Sequence, residues 1–199
     1  MHDKPGEAHG IDSQGCGTSA ASLQEELITV PLSTCHRVAD FVCIKSARVT
    51  GFFAKEARML VPNYCRVFIA PNPSDIDQIW GYYTLSAALL MKTQLTGSDE
   101  KRASKNFLGY PAPMVRIGFM GRDDKAVSGF GASLIVDAAR RVHRNGDIAA
   151  WGLVLEPEGG PENSKLWDWY QKQGLKPCRN TPGSMYGPLS AFLPELQNA

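Results

Sequence analysis

The sequence predicts a mixed α/β fold, and three observations carry that reading. Apolar residues recur at helical spacing over residues 46–60 and 129–144. Short apolar or alternating runs stand between and around them, at 66–70, 79–90, 114–120 and 149–155. Gly, Pro and Asn mark the boundaries. Strand patterns that alternate with helix patterns belong to the mixed class. A chain of 199 residues fits one domain and can bury a core without disulfide or metal staples.

Composition sets the outer limits. Hydrophobic residues make up 43% and charged residues 21%, as in ordinary soluble globular chains. Lys+Arg number 21 against 20 Asp+Glu, for a net charge of +1. That excludes a strongly basic nucleic-acid coat and an acidic solvating chain, while leaving room for a local basic patch. The five cysteines are odd in number, widely spaced and without a CxxC pair, which argues against a disulfide framework and a thiolate zinc site. His2, His9, His36 and His143 lack ligand spacing, so no metal is expected. No apolar run approaches the ~18 residues of a membrane span, and no signal peptide is visible. The expectation is a reduced, cytoplasmic protein without membrane attachment.

Taken in order, residues 1–25 are poor in large apolar side chains and read as a flexible tail, with Leu23 to Ile28 as its anchor and residues 26–199 as the domain. Val49, Phe52, Phe53, Ala57 and Leu60 space a helix, weakened by Gly51 at a cost of about 1 kcal/mol. Arg66 to Ala70 and Ile79 to Leu90 form a hairpin across Pro71-Asn72-Pro73-Ser74. Residues 93–112, with Lys101, Arg102 and Lys105, read as a loop or short helix closed by Pro111 and Pro113. Met114 to Met120 is the next strand. Gly129 opens a helix to about Arg144, with Phe130, Leu134, Ile135, Ala138, Ala139 and Val142 on one face, ended by Asn145-Gly146. Ala149 to Leu155 is a buried strand, Pro161 and Gly174 bracket a helix, and residues 175–193 hold two short strands broken by Pro182-Gly183.

The segment richest in chemistry is Ile117-Gly-Phe-Met-Gly-Arg-Asp-Asp-Lys-Ala-Val-Ser-Gly-Phe-Gly-Ala132. Gly129 and Gly131 remove side chains where a backbone could approach a ligand. The N–H groups that open the following helix, with the positive end of its dipole, suit a pyrophosphate. A tight turn with close helix–strand packing explains the same glycines equally well. Neither a Walker loop nor a dinucleotide fingerprint is present. A second segment, Asn163-Ser-Lys-Leu-Trp-Asp-Trp-Tyr170-Gln-Lys-Gln-Gly174-Leu175, sets Asn163 and Tyr170 two helical turns apart. An Asn amide can hold a cofactor amide, and a phenol can protonate a leaving thiolate. A buried tyrosine with a satisfied hydroxyl is the competing reading, and Trp167 and Trp169 read as packing residues.

Together the two segments resemble the GNAT acetyltransferase superfamily, whose patterns are Gln/Arg-x-x-Gly-x-Gly/Ala and Asn-x-x-Ala-x-x-Leu-Tyr-x-Lys-x-Gly-Phe. The chain keeps Gly129, Gly131, Asn163, Tyr170, Lys172 and Gly174, and departs at Ala126, where the family has Gln or Arg. Lys125 or Arg122 could compensate. Phe41-Val-Cys43 with Val49 and Phe52-Phe53, Trp80-Gly-Tyr-Tyr-Thr-Leu-Ser86, and Tyr110-Pro-Ala-Pro113 before Ile117-Gly118 resemble segments of the GNAT toxins of toxin–antitoxin pairs, which acetylate aminoacyl-tRNA. Phe119 stands where that subgroup has Arg. The resemblance spans residues 38–193.

The resemblance implies a mixed, mostly antiparallel sheet with a splayed parallel pair, here Met114–Met120 and Ala149–Leu155, flanked by helices. It implies acetyl-CoA as cofactor and direct acetyl transfer to a primary amine. Met120, Gly121 and Arg122 would hold the pantetheine and acetyl carbonyl, and Val127, Ser128, Gly129, Phe130, Gly131 and Ala132 the pyrophosphate, with Asn163 also on the cofactor. Tyr170 would be the catalytic acid. Glu156 is a candidate base, although a solvated loop carboxylate is the favoured reading. Tyr83, Arg140, Arg141 and Arg144 are candidate substrate contacts. The acceptor could be aminoacyl-tRNA, a small amine or a protein lysine. A non-catalytic CoA-binding module is the further alternative. An antitoxin protein and a homodimer are the implied partners. Cys43 and Cys65 read as small core residues.

Overall fold

A computed structural model describes residues 27–60, 63–106, 110–145 and 147–197. The expected tail at 1–25 and Gly146 lie outside the described residues. Seven strands form one sheet in the order β1-β2-β3-β4-β5-β7-β6: β1 Val30–Pro31, β2 Arg66–Asn72, β3 Asp75–Leu90, β4 Ala112–Arg122, β5 Gly152–Leu155, β6 Lys176–Pro177 and β7 Met185–Pro188. All neighbours are antiparallel except β4 and β5. Five helices flank it: α1 Ala47–Lys55, α2 Ala57–Leu60, α3 Gly97–Asn106, α4 Phe130–Arg144 and α5 Ser164–Lys172.

The long β2–β3 hairpin turns where Asn72 Oδ1 accepts the Ser74 N–H at 2.9 Å, an Asx turn that the sequence signalled. The expected helix over 46–60 divides at Glu56 into α1 and α2. Its cap is Ser46, whose hydroxyl accepts the Val49 N–H at 3.0 Å. Residues 97–106, read as a loop or short helix, form α3. Asp99 and Glu100 in its first turn favour the helix dipole. The buried Asp99 carboxylate also accepts from Tyr186 Oη at 3.0 Å and Lys176 Nζ at 2.7 Å. All six residues assigned to the inner face of α4 are buried.

The two faces of the sheet differ. On one, α4 and α5 cover a cluster that includes Tyr83, Ile117, Leu134, Leu153, Leu155 and Tyr170. The other carries two separate clusters. One lies under α1 and α2 around Phe41, Phe52, Phe53, Ile69 and Tyr82, and one near α3 around Leu95, Met114, Val154 and Tyr186. Burial of this kind is the main favourable term of the fold, at about 25 cal/mol per Å² of apolar surface.

The feature that sets the site is a bulge. Tyr83 pairs with Met120 but Leu85 with Ile117, so Gly118 and Phe119 together oppose Thr84. Thr84 Oγ1 accepts the Phe119 N–H at 2.9 Å and fills the place of the missing ladder bond. An extra residue bends its strand and reverses the alternation of faces. Accordingly Ile117 and Met120, three apart, both belong to the α4 side, while Phe119 faces α1. The β4–β5 pairing ends at this point, at Ile117↔Leu155. Beyond it β4 follows β3 as far as Arg122, and no longer pairs with β5.

Candidate functional site

The gap between β4 and β5 opens at the bulge. The Asp123 N–H bonds Trp80 O on the β3 side at 2.7 Å. Backbone groups alternate along a strand, so the N–H groups of Met120 and Arg122 turn to the opposite edge, toward the gap. Gly121 has a different reason to be glycine: a Cβ there would lie 2.4 Å from Val49 of α1.

At the mouth, residues 123–129 link β4 to α4. Asp123 is buried and its carboxylate accepts the Val42 N–H at 2.8 Å and the Lys125 N–H at 2.9 Å. The Asp124 N–H bonds Val42 O, and its carboxylate accepts the Ile44 N–H. The loop is thus tied to the segment before α1. Ser46 reaches from that segment to the Glu158 carboxylate beyond β5.

Val127, Ser128 and Gly129 are exposed. Gly129 adopts φ +85° with nothing within 4 Å of a Cβ, so backbone conformation, and not crowding, selects glycine. Gly131 is different: its Cβ would stand 3.4 Å from the Trp169 ring, so it admits α5 against α4. Phe130 closes the turn through its N–H to Val127 O, and Ala132 through its N–H to Gly129 O. Phe130 packs over Gly81 and edge-on to Trp80, which fixes the helix start above the end of the hairpin. Ala126 is buried, and Arg122 Nη1 donates to its carbonyl at 2.8 Å. The Arg122 cation therefore stands beside the loop.

Tyr170 is 8% exposed, edge-on to Trp169, and its hydroxyl makes no hydrogen bond with a described residue. Burial pushes its pKa up to about 12. Asn163 caps α5. Its Oδ1 accepts the Leu166 N–H at 3.5 Å and its Nδ2 donates to Glu158 O at 3.1 Å, so both ends of the amide are engaged locally. Trp167 and Trp169 pack against the core as expected. Glu156 follows β5 and pairs with Arg116 of β4, with Ser184 Oγ 3.5 Å away. The candidate base is therefore an ion-paired, exposed carboxylate. Cys178 lies close to Glu156, and burial, with that charge, raises its thiol to about 11.

The expected substrate contacts are not brought to the gap as a group. Tyr83 is 0% exposed. Its hydroxyl donates to the Asp137 carboxylate, lies 3.0 Å from Thr29 Oγ1 and accepts from Arg141 Nε at 3.1 Å. Arg141 also donates to Thr29 O at 2.7 Å and lies over the Phe68 ring at 4.1 Å. A buried, fully engaged phenol and an interlocked guanidinium thus tie residue 29 to α4 and β3. Arg140 and Arg144 line a recess of about 370 Å³ beside Phe68 and Asp137, over β2. The sequence also gave no sign of Thr84, Arg48 or Arg116 at the bulge. Only the i,i+4 spacing of Arg48 and Phe52 hints that they share a face.

No protein-family model matches the chain. Several solved structures share its architecture. AtaT complexed with acetyl-methionyl-tRNAfMet superposes with a TM-score of 0.71 at 20% identity, over 86% of this chain and 99% of that one. A tyrosine-to-phenylalanine mutant of KacT gives 0.69 at 18% identity, over 84% and 98%. AtaTR bound with acetyl-CoA gives 0.66 at 21% identity, over 87% and 99%. The mixed sheet, its parallel pair and the flanking helices match the fold of these proteins, and the chain has the GNAT fold.

Proposed function

We propose that the chain is an acetyl-CoA-dependent N-acetyltransferase whose acceptor is the amino group of an aminoacyl-tRNA. The observation that carries the reading is the bulged, parted β4–β5 pair. It combines inward-turned N–H groups at Met120 and Arg122, an exposed loop at the α4 N-terminus, and a buried Tyr170 whose hydroxyl is unengaged among the described residues. The solved neighbours with acetyl-CoA and with acetylated methionyl-tRNA support the choice of cofactor and acceptor.

The residues present fit acetyl-CoA. Gly129 leaves open space over the first turn of α4, and Arg122 adds a cation there. Val127 to Ala132 would hold the pyrophosphate by the helix dipole and by the N–H groups that the turn does not use, those of Phe130 and Ala132 being bonded to Val127 O and Gly129 O. The Met120 and Arg122 edge would hold the pantetheine and polarise the acetyl carbonyl, with Gly121 between them keeping α1 close. Bound acetyl-CoA supplies an activated thioester. Tyr170, protonated throughout the neutral range, would give its proton to the sulfur as the C–S bond breaks and the N–C bond forms, and the proton then shed by the acylated nitrogen would leave through water, which reprotonates the phenolate. Asn163 serves the site by capping α5 and so placing Tyr170.

Glu156 is occupied by Arg116, so the amine must arrive largely neutral. An α-amine, with an ordinary pKa of about 7.7–8.0, meets that demand and a lysine at about 10.4 does not. This favours an aminoacyl ester over a protein lysine. An antitoxin-type partner is proposed on the same likeness, since AtaT is solved with the C-terminus of its antitoxin AtaR. The test is transfer of labelled acetyl from acetyl-CoA to charged tRNAs, lysine peptides and polyamines in parallel. Label on charged tRNA alone supports the reading. Label on lysine peptides or polyamines overturns the acceptor, and no transfer at all overturns the enzyme.

A further inference from the structure

We propose that the acceptor enters on the α1 face of the gap and is recognised there by Arg48 and Phe119, which bind a phosphate and a planar base. The proposal rests on the acetyltransferase reading and names how its acceptor is recognised. The gap lies between the two faces of the sheet, where β4 and β5 no longer pair. The α4 face carries the loop at 123–129 and Tyr170, so a cofactor there leaves the opposite face for the amine.

That opposite face is not packed as one continuous core. Its two apolar clusters are separate, one under α1 and one near α3. Between them lie the buried Thr84, the half-buried Ser86 and, directly paired with Ser86, the exposed Arg116. The bulge then places Phe119 at the border of this strip. Phe119 is half-buried and stacks on the buried Phe52, with ring centroids 3.7 Å apart and planes 7° apart. Such a ring has a fixed position and an aromatic surface that suits stacking with a base.

Arg48, one turn before Phe52 on α1, holds its guanidinium 5.5 Å from the centre of the same ring. It is exposed and makes no ion pair with a described residue. Its neighbours in charge are committed elsewhere: Arg116 to Glu156, Arg179 to Glu100 and Arg58 to the carbonyls of Thr34 and His36. Helix α1 carries Arg48 and Lys55 but no acidic residue, so nothing on it neutralises that charge. A guanidinium over an aromatic ring offers a planar donor fork to a phosphate. The strip therefore suits an amine carried on a nucleotide better than a free amine or a lysine side chain.

The test is steady-state acetyl transfer by the full chain to charged tRNA and to the matching amino-acid amide, with Arg48→Ala, Arg48→Lys and Phe119→Leu beside the native protein. Calorimetric acetyl-CoA binding and thermal melting of each variant accompany it. The expected result for Arg48→Ala is a KM for charged tRNA raised at least tenfold, with kcat and acetyl-CoA affinity within twofold. The preference for charged tRNA over the amide falls by the same factor. Arg48→Lys should recover part of the loss and Phe119→Leu should share it. A native chain that acetylates charged tRNA while Arg48→Ala keeps the same KM overturns this inference alone. A native chain that transfers acetyl to neither acceptor overturns the acetyltransferase reading and this inference with it.

Discussion

Tyr170 lies near the end of α5, with its ring in the core and its hydroxyl unengaged among the described residues. As a proton donor it should be separable from cofactor binding. Tyr170→Phe is expected to lower kcat about 100-fold or more while acetyl-CoA affinity stays within twofold, read by labelled transfer and calorimetry. Because burial holds its pKa near 12, the pH profile should show no alkaline limb from Tyr170 below pH 10. kcat/KM for an aminoacyl acceptor should rise through the amine's own pKa and then stay level to pH 10. A fall centred below pH 10 would assign the acid to another group. Tyr170 was legible from its spacing to Asn163 and Gly174. Its neighbour Asn163 shows the limit of such spacing, since an amide that could hold a cofactor equally caps a helix. Only the partners of its two ends decide between these roles. The surroundings of Tyr83 were hidden for a related reason: on a strand, sequence alone does not say whether a phenol meets solvent or, as here, Thr29, Asp137 and Arg141.

Among the elements, the bulge in β4 carries the most consequence. Thr84→Val keeps the shape of the side chain but removes the acceptor of the Phe119 N–H. A buried donor left unpaired costs about 1–3 kcal/mol. Thermal melting should show that loss, with Thr84→Ser near native. Acetyl-CoA binding should weaken as well, because the same bond turns the β4 edge into the gap. The Gly129 turn allows a similar separation. Its φ of +85° costs an L-residue about 1–2 kcal/mol, and its surroundings are open. Gly129→Ala should therefore lose stability and acetyl-CoA affinity through conformation alone, and Gly129→Asn less. The helices and the hairpin were readable because periodicity and turn residues are local. The bulge was not, because it is a mismatch between Thr84 and Gly118-Phe119, some 35 positions apart. The Arg48–Phe119 contact is hidden in the same way, and α3 was ambiguous because its sequence is nearly all polar.

Across the molecule, three tyrosines are buried, Tyr82 and Tyr83 on β3 and Tyr170 on α5. Burial raises Tyr82, Tyr83 and Tyr170 above their ordinary pKa of 10. Between that value and the higher folded values the native state binds more protons than the unfolded chain, so stability falls as pH rises. The expected slope is about 1.4 kcal/mol per pH unit for each such tyrosine. The Cys178 thiol, raised in the same way, adds its own decline from about pH 8.5, so denaturant titrations from pH 8 to 11 should show stability falling from there and more steeply beyond pH 10, and a flat result would contradict the burial. The fold class and the parallel pair were legible from the sequence, the first from alternating patterns and the second through resemblance. The closure of the sheet edge by residues 27–31 was legible only as the suspicion of an anchor. Thr29 acquires its meaning from Asp137 and Arg141, more than 100 residues away.

The most direct measurement of the central claim is calorimetric binding of acetyl-CoA to the native chain and to Gly129→Glu. The α4 loop as pyrophosphate site predicts one acetyl-CoA per chain for the native protein. It predicts binding weakened at least 100-fold when a carboxylate replaces the open space at Gly129, in a variant that still melts cooperatively. A folded native chain that does not bind acetyl-CoA, or a folded Gly129→Glu variant that binds it as well, would contradict the account.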